Sequence, residues 1–123
     1  MFDLTPEEAR LLLNVALMAA GGNRFQSAEK ILAVLERFRP DAPSVAVGKA
    51  ITLISAMQFE SCVEYIDGTA LRKFPGSAML KAFKGMALLR MERIAEAHET
   101  LAEAAAQTED PAAAQLAKGL MND

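Results

Sequence analysis

His98 is the single histidine and Cys62 the single cysteine of this 123-residue chain. A cysteine and a histidine can form a nucleophile and its base, and both types ligate zinc, but one of each is too little for a metal set. Their neighbours speak against catalysis as well. Cys62 occupies a small-residue site that recurs along the chain, so it reads as packing. His98 lies between Ala97 and Glu99, close to Glu96, and reads as facing solvent. Glu92, Glu96, Glu99 and Glu103 follow at three- and four-residue spacing, which puts them on one helix face. Carboxylates do acid–base work only in a cleft that shifts their pKa values, and this row reads as a solvated face. Gly21-Gly22 has the context of a turn, not of a phosphate loop. The expectation is a protein that is not an enzyme, with no catalytic residue, cofactor or metal. A single cysteine also leaves no internal disulfide.

The elements that hold these residues repeat. Ala28, Cys62 and Ala97 are separated by 34 and 35 residues, and Ala16, Ala50 and Gly85 by the same two intervals. Leu35, Thr69 and Ala104 make a third register. Arg24-Phe25, Gln58-Phe59 and Arg93-Ile94 mark the step again. A period near 34 built from two helical segments is that of the tetratricopeptide repeat, a helix hairpin that buries its apolar face by stacking on neighbours. The extra residue of the second interval is expected between Thr69 and Gly85, in the turn Phe74-Pro75-Gly76.

Composition agrees with a folded chain. Apolar residues make up 52% and charged residues 24%, outside the disordered range. No uninterrupted apolar run is long enough to span a membrane. Leu11 to Ala20 follows Thr5-Pro6-Glu7-Glu8, an acidic flank unlike that of a signal peptide, so a cytoplasmic protein is expected. The net charge of −3 argues against nucleic acid. From Glu92 onward acids dominate.

Local signals place the helices. Thr5-Pro6-Glu7-Glu8 reads as a cap, a first-turn proline and a capping box, opening a helix that runs to about Ala20. The others are expected near Arg24–Phe38, Ser44–Ala56, Phe59–Lys73 with a weak spot at Gly68, from Ser77 to Arg90, and Ile94–Ala106. Asp110-Pro111 starts a last amphipathic helix. The expected fold is all-α, one domain over residues 1–123, a tetratricopeptide-like array of three helix hairpins (about 6–42, 43–76 and 77–110) plus a C-terminal capping helix at 111–121.

In such arrays the first helix of each pair lines the concave face. Counting back from the small positions assigns Arg10, Leu13, Leu17 and Ala20 to it in the first hairpin. Ser44, Val47, Ile51 and Ile54 follow in the second, then Met79, Ala82, Met86 and Leu89 in the third. Arg10 is the one charge. Asn14 lies near, but no further base accompanies it, so these rows do not read as a grip on a peptide carboxylate. An apolar groove suits an amphipathic helix, and methionine suits an adaptable surface. The candidate partner-binding residues are Leu13, Leu17, Val47, Ile51, Ile54, Met79, Met86 and Leu89. The competing reading is that these side chains pack against the second helices or the terminal helix.

The three repeats, the short length and the apolar groove resemble a known family. So does the segment Asp110-Pro111-Ala112-Ala113-Ala114-Gln115-Leu116-Ala117-Lys118-Gly119-Leu120-Met121. These are the small tetratricopeptide-like chaperones of bacterial type III secretion, of the kind that hold the needle subunit. The stretch from Asn23-Arg24-Phe25 to Leu32 is similar to the second helix of related proteins in plant-pathogen systems. The resemblance implies a cytoplasmic export chaperone without enzymatic activity. It implies that the concave face clasps an amphipathic helix of the needle subunit and prevents premature polymerisation, in some members with a small helical co-chaperone. Two alternatives stand beside it: an interaction adaptor outside secretion, and a homodimer whose groove a second copy closes.

Overall fold

Thr5 begins the first helix as its sequence requires. Its hydroxyl accepts from the Glu8 N–H at 3.1 Å, and the Glu8 carboxylate accepts from the Thr5 N–H at 3.1 Å, with Pro6 in the first turn. The bond from the Thr5 backbone holds the Glu8 carboxyl below its ordinary range, helped by the Thr5 side chain. The computed structural model describes residues 3–122, and among them there is no strand. The chain is all-α, made of helix hairpins consistent with a tetratricopeptide-like fold.

The helices are α1 (Pro6–Gly21), α2 (Phe25–Phe38), α3 (Pro43–Ser55), α4 (Phe59–Tyr65), α5 (Leu71–Lys73), α6 (Ala78–Arg90), α7 (Ile94–Ala106) and α8 (Pro111–Met121). A π-helical segment, Ile66–Ala70, joins α4 to α5, so residues 59–73 form one continuous helical stretch. Two compact units result, one up to Met57 and one from Gln58. The second expected repeat thus supplies α3 to the first unit and its remainder to the second. In the first unit α3 packs on both α1 and α2, around Leu4, Ala16, Leu32, Leu35 and Val45. In the second, α6 packs on α4 and α7, and α8 covers α6 and α7 around Ala82, Leu101, Ala104 and Ala117.

The repeat is visible in backbone geometry. Asn23, Met57 and Glu92 stand at the same two intervals, and each takes a left-handed φ, of 65°, 61° and 61°. Each ends a first helix and turns the chain into the second. The following residues, Arg24, Gln58 and Arg93, share one conformation, with φ near −95° and ψ near 65°. Their carbonyls accept from the N–H groups of Ala28, Cys62 and Ala97. Those three side chains are fully buried.

The extra residue does not lie where the sequence reading put it. The loops Arg39–Ala42, Phe74–Ser77 and Gln107–Asp110 are the same turn, closed by Ala42 N–H to Arg39, Ser77 N–H to Phe74 and Asp110 N–H to Gln107 at 3.1–3.2 Å. None holds an insertion. The π segment does. Leu32, Ile66 and Leu101 remain in register and buried, but Ala70 rather than the exposed Thr69 takes the buried place of Leu35 and Ala104. The Leu71 N–H reaches back to the Ile66 carbonyl, one residue beyond α-helical range. The wider turn absorbs the added residue, so Phe59–Lys73 neither frays nor stays regular at Gly68.

Two glycines test this geometry from opposite sides. A β-carbon on Gly68 would meet nothing within 4 Å, whereas one on Gly85 would collide with the Leu101 side chain. Gly68→Ala is expected to raise stability by about 0.5–1 kcal/mol through the lost freedom of the unfolded chain. Gly85→Ala should lower it by about 1–3 kcal/mol through overpacking. Urea midpoints read both, and an unchanged midpoint for Gly85→Ala would contradict the close approach of α6 and α7.

Candidate functional site

All eight residues assigned to partner binding are partly exposed, neither sealed in the core nor open. In the first unit, Leu13 and Leu17 stand on α1, and Val47, Ile51 and Ile54 on α3, two helices in contact. In the second unit, Met79, Met86 and Leu89 stand on α6. Small residues between them seat these helices: Ala16 and Ala50 are fully buried, and Gly85 is buried.

Two of the eight also serve the interior. A β-carbon on Gly48 would lie 2.6 Å from Leu13 Cδ1 and 3.4 Å from Leu32 Cδ2. Leu13 is therefore wedged between α1 and α3, and it packs on the cluster around Leu32 and Leu35. Leu89 packs in the same way on the cluster around Leu101 and Ala104.

The sequence reading missed a more exposed apolar stripe on α1. Leu11, Val15 and Met18 are 65%, 50% and 76% exposed. The repeat explains what is unusual about them. Their counterparts at Leu11 and Met18 are Val45 and Thr52 in α3, and Leu80 and Ala87 in α6, all buried. Val45 is covered by the preceding hairpin, through Leu32 and Leu35. In α1 the same positions are bare. Their three- and four-residue spacing was readable; which face of α1 is uncovered was not.

The acidic row changes slightly. Glu92 sits in the left-handed turn before α7, so the helical row is Glu96, Glu99 and Glu103. These three rim a shallow cleft of about 190 Å³ with Lys84, Leu88 and Thr100. Arg93 pairs with Glu96 at 2.5 Å and Lys84 with Asp67 at 2.8 Å. His98 is exposed on α7, and Cys62 is buried in α4. Among the described residues no group of three or more His, Cys, Asp or Glu could hold a metal ion, and no helix is long and apolar enough to cross a membrane.

No family model matches the chain, and no curated protein or solved structure does either.

Burial pushes the Cys62 thiol up to about 11 from an ordinary 9.0. The sign of its effect on stability follows. Below pH 9 the thiol is protonated in both states and its contribution is fully present. Above that the unfolded chain ionises first, so stability falls as pH rises towards 11. Other groups titrate in this window, so the measurement is a difference. The urea midpoint of the natural chain is expected to fall more steeply between pH 9 and 11 than that of Cys62→Ala.

Proposed function

We propose that this chain is a protein-binding helical module that takes an amphipathic helix on the apolar faces of its first helices. The observation that carries the reading is the partial exposure of Leu17, Val47, Ile51 and Ile54 in the first unit and, in the second unit taken by itself, of Met79 and Met86. Apolar side chains left partly open on rigidly seated helices gain free energy when a partner covers them, about 25 cal/mol per Å² before ordering costs. The resemblance described above narrows the partner to the needle subunit of a bacterial type III secretion system. The chain is then a cytoplasmic export chaperone. Covering the apolar side of the subunit's helix keeps it monomeric until export, alone or with a small helical co-chaperone. Catalysis has no part in this role.

A second reading has its own support. The bare stripe of Leu11, Val15 and Met18 suits self-association, in which a second copy covers α1.

Ile51→Asp and Met86→Asp test the first reading. Each puts a charge where the partner would exclude water, so capture of a needle-type subunit on co-expression is expected to fall at least about tenfold. Both positions are partly exposed in the free chain, so its melting temperature should change little. Unfolding of both isolated variants would place these residues in the core and remove the groove. Light scattering on the same preparations decides the second reading, which requires a dimer that Met18→Glu dissociates.

A further inference from the structure

A cavity of about 270 Å³ in the first unit combines apolar walls with unmatched positive charge. Pro6, Ala9 and Leu13 of α1 and Val45 of α3 form the walls, and Arg10, Arg39 and Ser44 supply the polar groups. Its lining includes no acid. Among the described residues neither arginine makes a salt bridge, not even to Asp41, although Asp41 stands two residues from Arg39 and lines a neighbouring cavity with it. The Arg39 guanidinium is anchored by one arm, Nη2 donating to the Leu4 carbonyl at 2.9 Å. Its Nε is buried with no acceptor. An unpaired buried donor on an uncompensated cation is a standing cost, and an anion relieves it.

A third source of positive potential faces the same space. Helix α3 starts here, and its cap residue Ala42 offers no side-chain acceptor, unlike Thr5, Ser77 and Asp110 at the starts of α1, α6 and α8. Pro43 has no N–H and the Val45 N–H is bonded to the Ala42 carbonyl, so the Ser44 N–H is the one first-turn donor here, at the positive end of the helix dipole. Two guanidiniums, a hydroxyl and an uncapped helix start suit a carboxylate, because the guanidinium fork matches its two oxygens. The apolar walls demand that the carboxylate sit on an apolar group.

We propose that this cavity binds the C-terminal carboxylate of a peptide whose last residue is apolar, with Arg10 and Arg39 on the carboxylate and Pro6, Ala9, Leu13 and Val45 around the side chain. The inference rests on the protein-binding reading, because Leu13 belongs to both the helix-binding row and the cavity wall. It adds that the partner's end, and not only its apolar face, is recognised. The rows of the first helices supply one base for such a grip, Arg10; the second, Arg39, comes from the loop between α2 and α3.

The test titrates the full chain by calorimetry with a synthetic amphipathic peptide ending in leucine, as the free acid and as the C-terminal amide. N-acetyl-leucine serves as a third ligand. The acid is expected to bind about tenfold more tightly than the amide. That advantage should shrink with added salt and vanish in Arg10→Gln, whose side chain is exposed and whose melting temperature should be unchanged. Arg39→Lys, which keeps the charge but not the fork, should lose most of the advantage. Equal binding of acid and amide overturns the carboxylate site while leaving the helix-binding reading in place. Failure of both peptides overturns both. Binding of N-acetyl-leucine without either peptide shows a small-molecule carboxylate site and overturns the peptide terminus. An acid advantage that survives in Arg10→Gln also overturns the assignment.

Discussion

Helices α6 and α7 lie close because Gly85 has no side chain: a methyl group there would run into Leu101. The same constraint operates in the first unit, where Gly48 leaves room for Leu13. Buried alanines at Ala16, Ala28, Ala50 and Ala97, with Cys62 at the equivalent place, extend it along the chain. Larger residues at these points would part the helices, and the leucines that fill the remaining space would lose their contacts. Packing density in a protein interior leaves little slack for such a change. Small residues thus set the distance, and Leu32, Leu35, Ile66, Leu80, Leu88 and Leu101 are the large apolar side chains fully buried at that distance.

Close packing also explains how the chain tolerates an insertion. The interhelix turns at Asn23, Met57 and Glu92 share one left-handed residue, and the loops after Arg39, Phe74 and Gln107 share one hydrogen-bonded form. An added residue in either would displace the next helix. Inside residues 59–73 it costs one wider turn, with Gly68 and Thr69 exposed and Ala70 returned to the buried register. The salt bridge from Asp67 to Lys84 ties this turn to α6 at 2.8 Å.

Burial divides the apolar residues by task. The small residues that seat the helices are enclosed, whereas the larger apolar residues assigned to partner binding on α1, α3 and α6 remain partly open, Leu13 and Leu89 also reaching the interior. Charge is segregated as well. Glu96, Glu99 and Glu103 form an exposed acidic rim on α7, while Arg10 and Arg39 leave positive charge at the start of α3.

The sequence by itself determined that the chain is helical, about where each helix lies, and the period. Caps at Thr5 and Asp110 and prolines at Pro6 and Pro111 act through neighbours one turn away, and the small residues recur at intervals of 34 and 35, so both signals are legible in the order of residues. The tertiary structure alone decided three further matters. It put the extra residue in the π turn, because only the burial of Ala70 over Thr69 distinguishes that site from the following loop. It left Leu11, Val15 and Met18 exposed, because which face of a helix is covered depends on the helices packed against it and not on its own periodicity. It brought Arg39 to the cavity beside Arg10, because the loop that carries Arg39 is positioned by the packing of α3 against α1 and α2. Local patterns record what each segment prefers. Which surfaces meet depends on residues far apart in the chain, and a single sequence does not pair them.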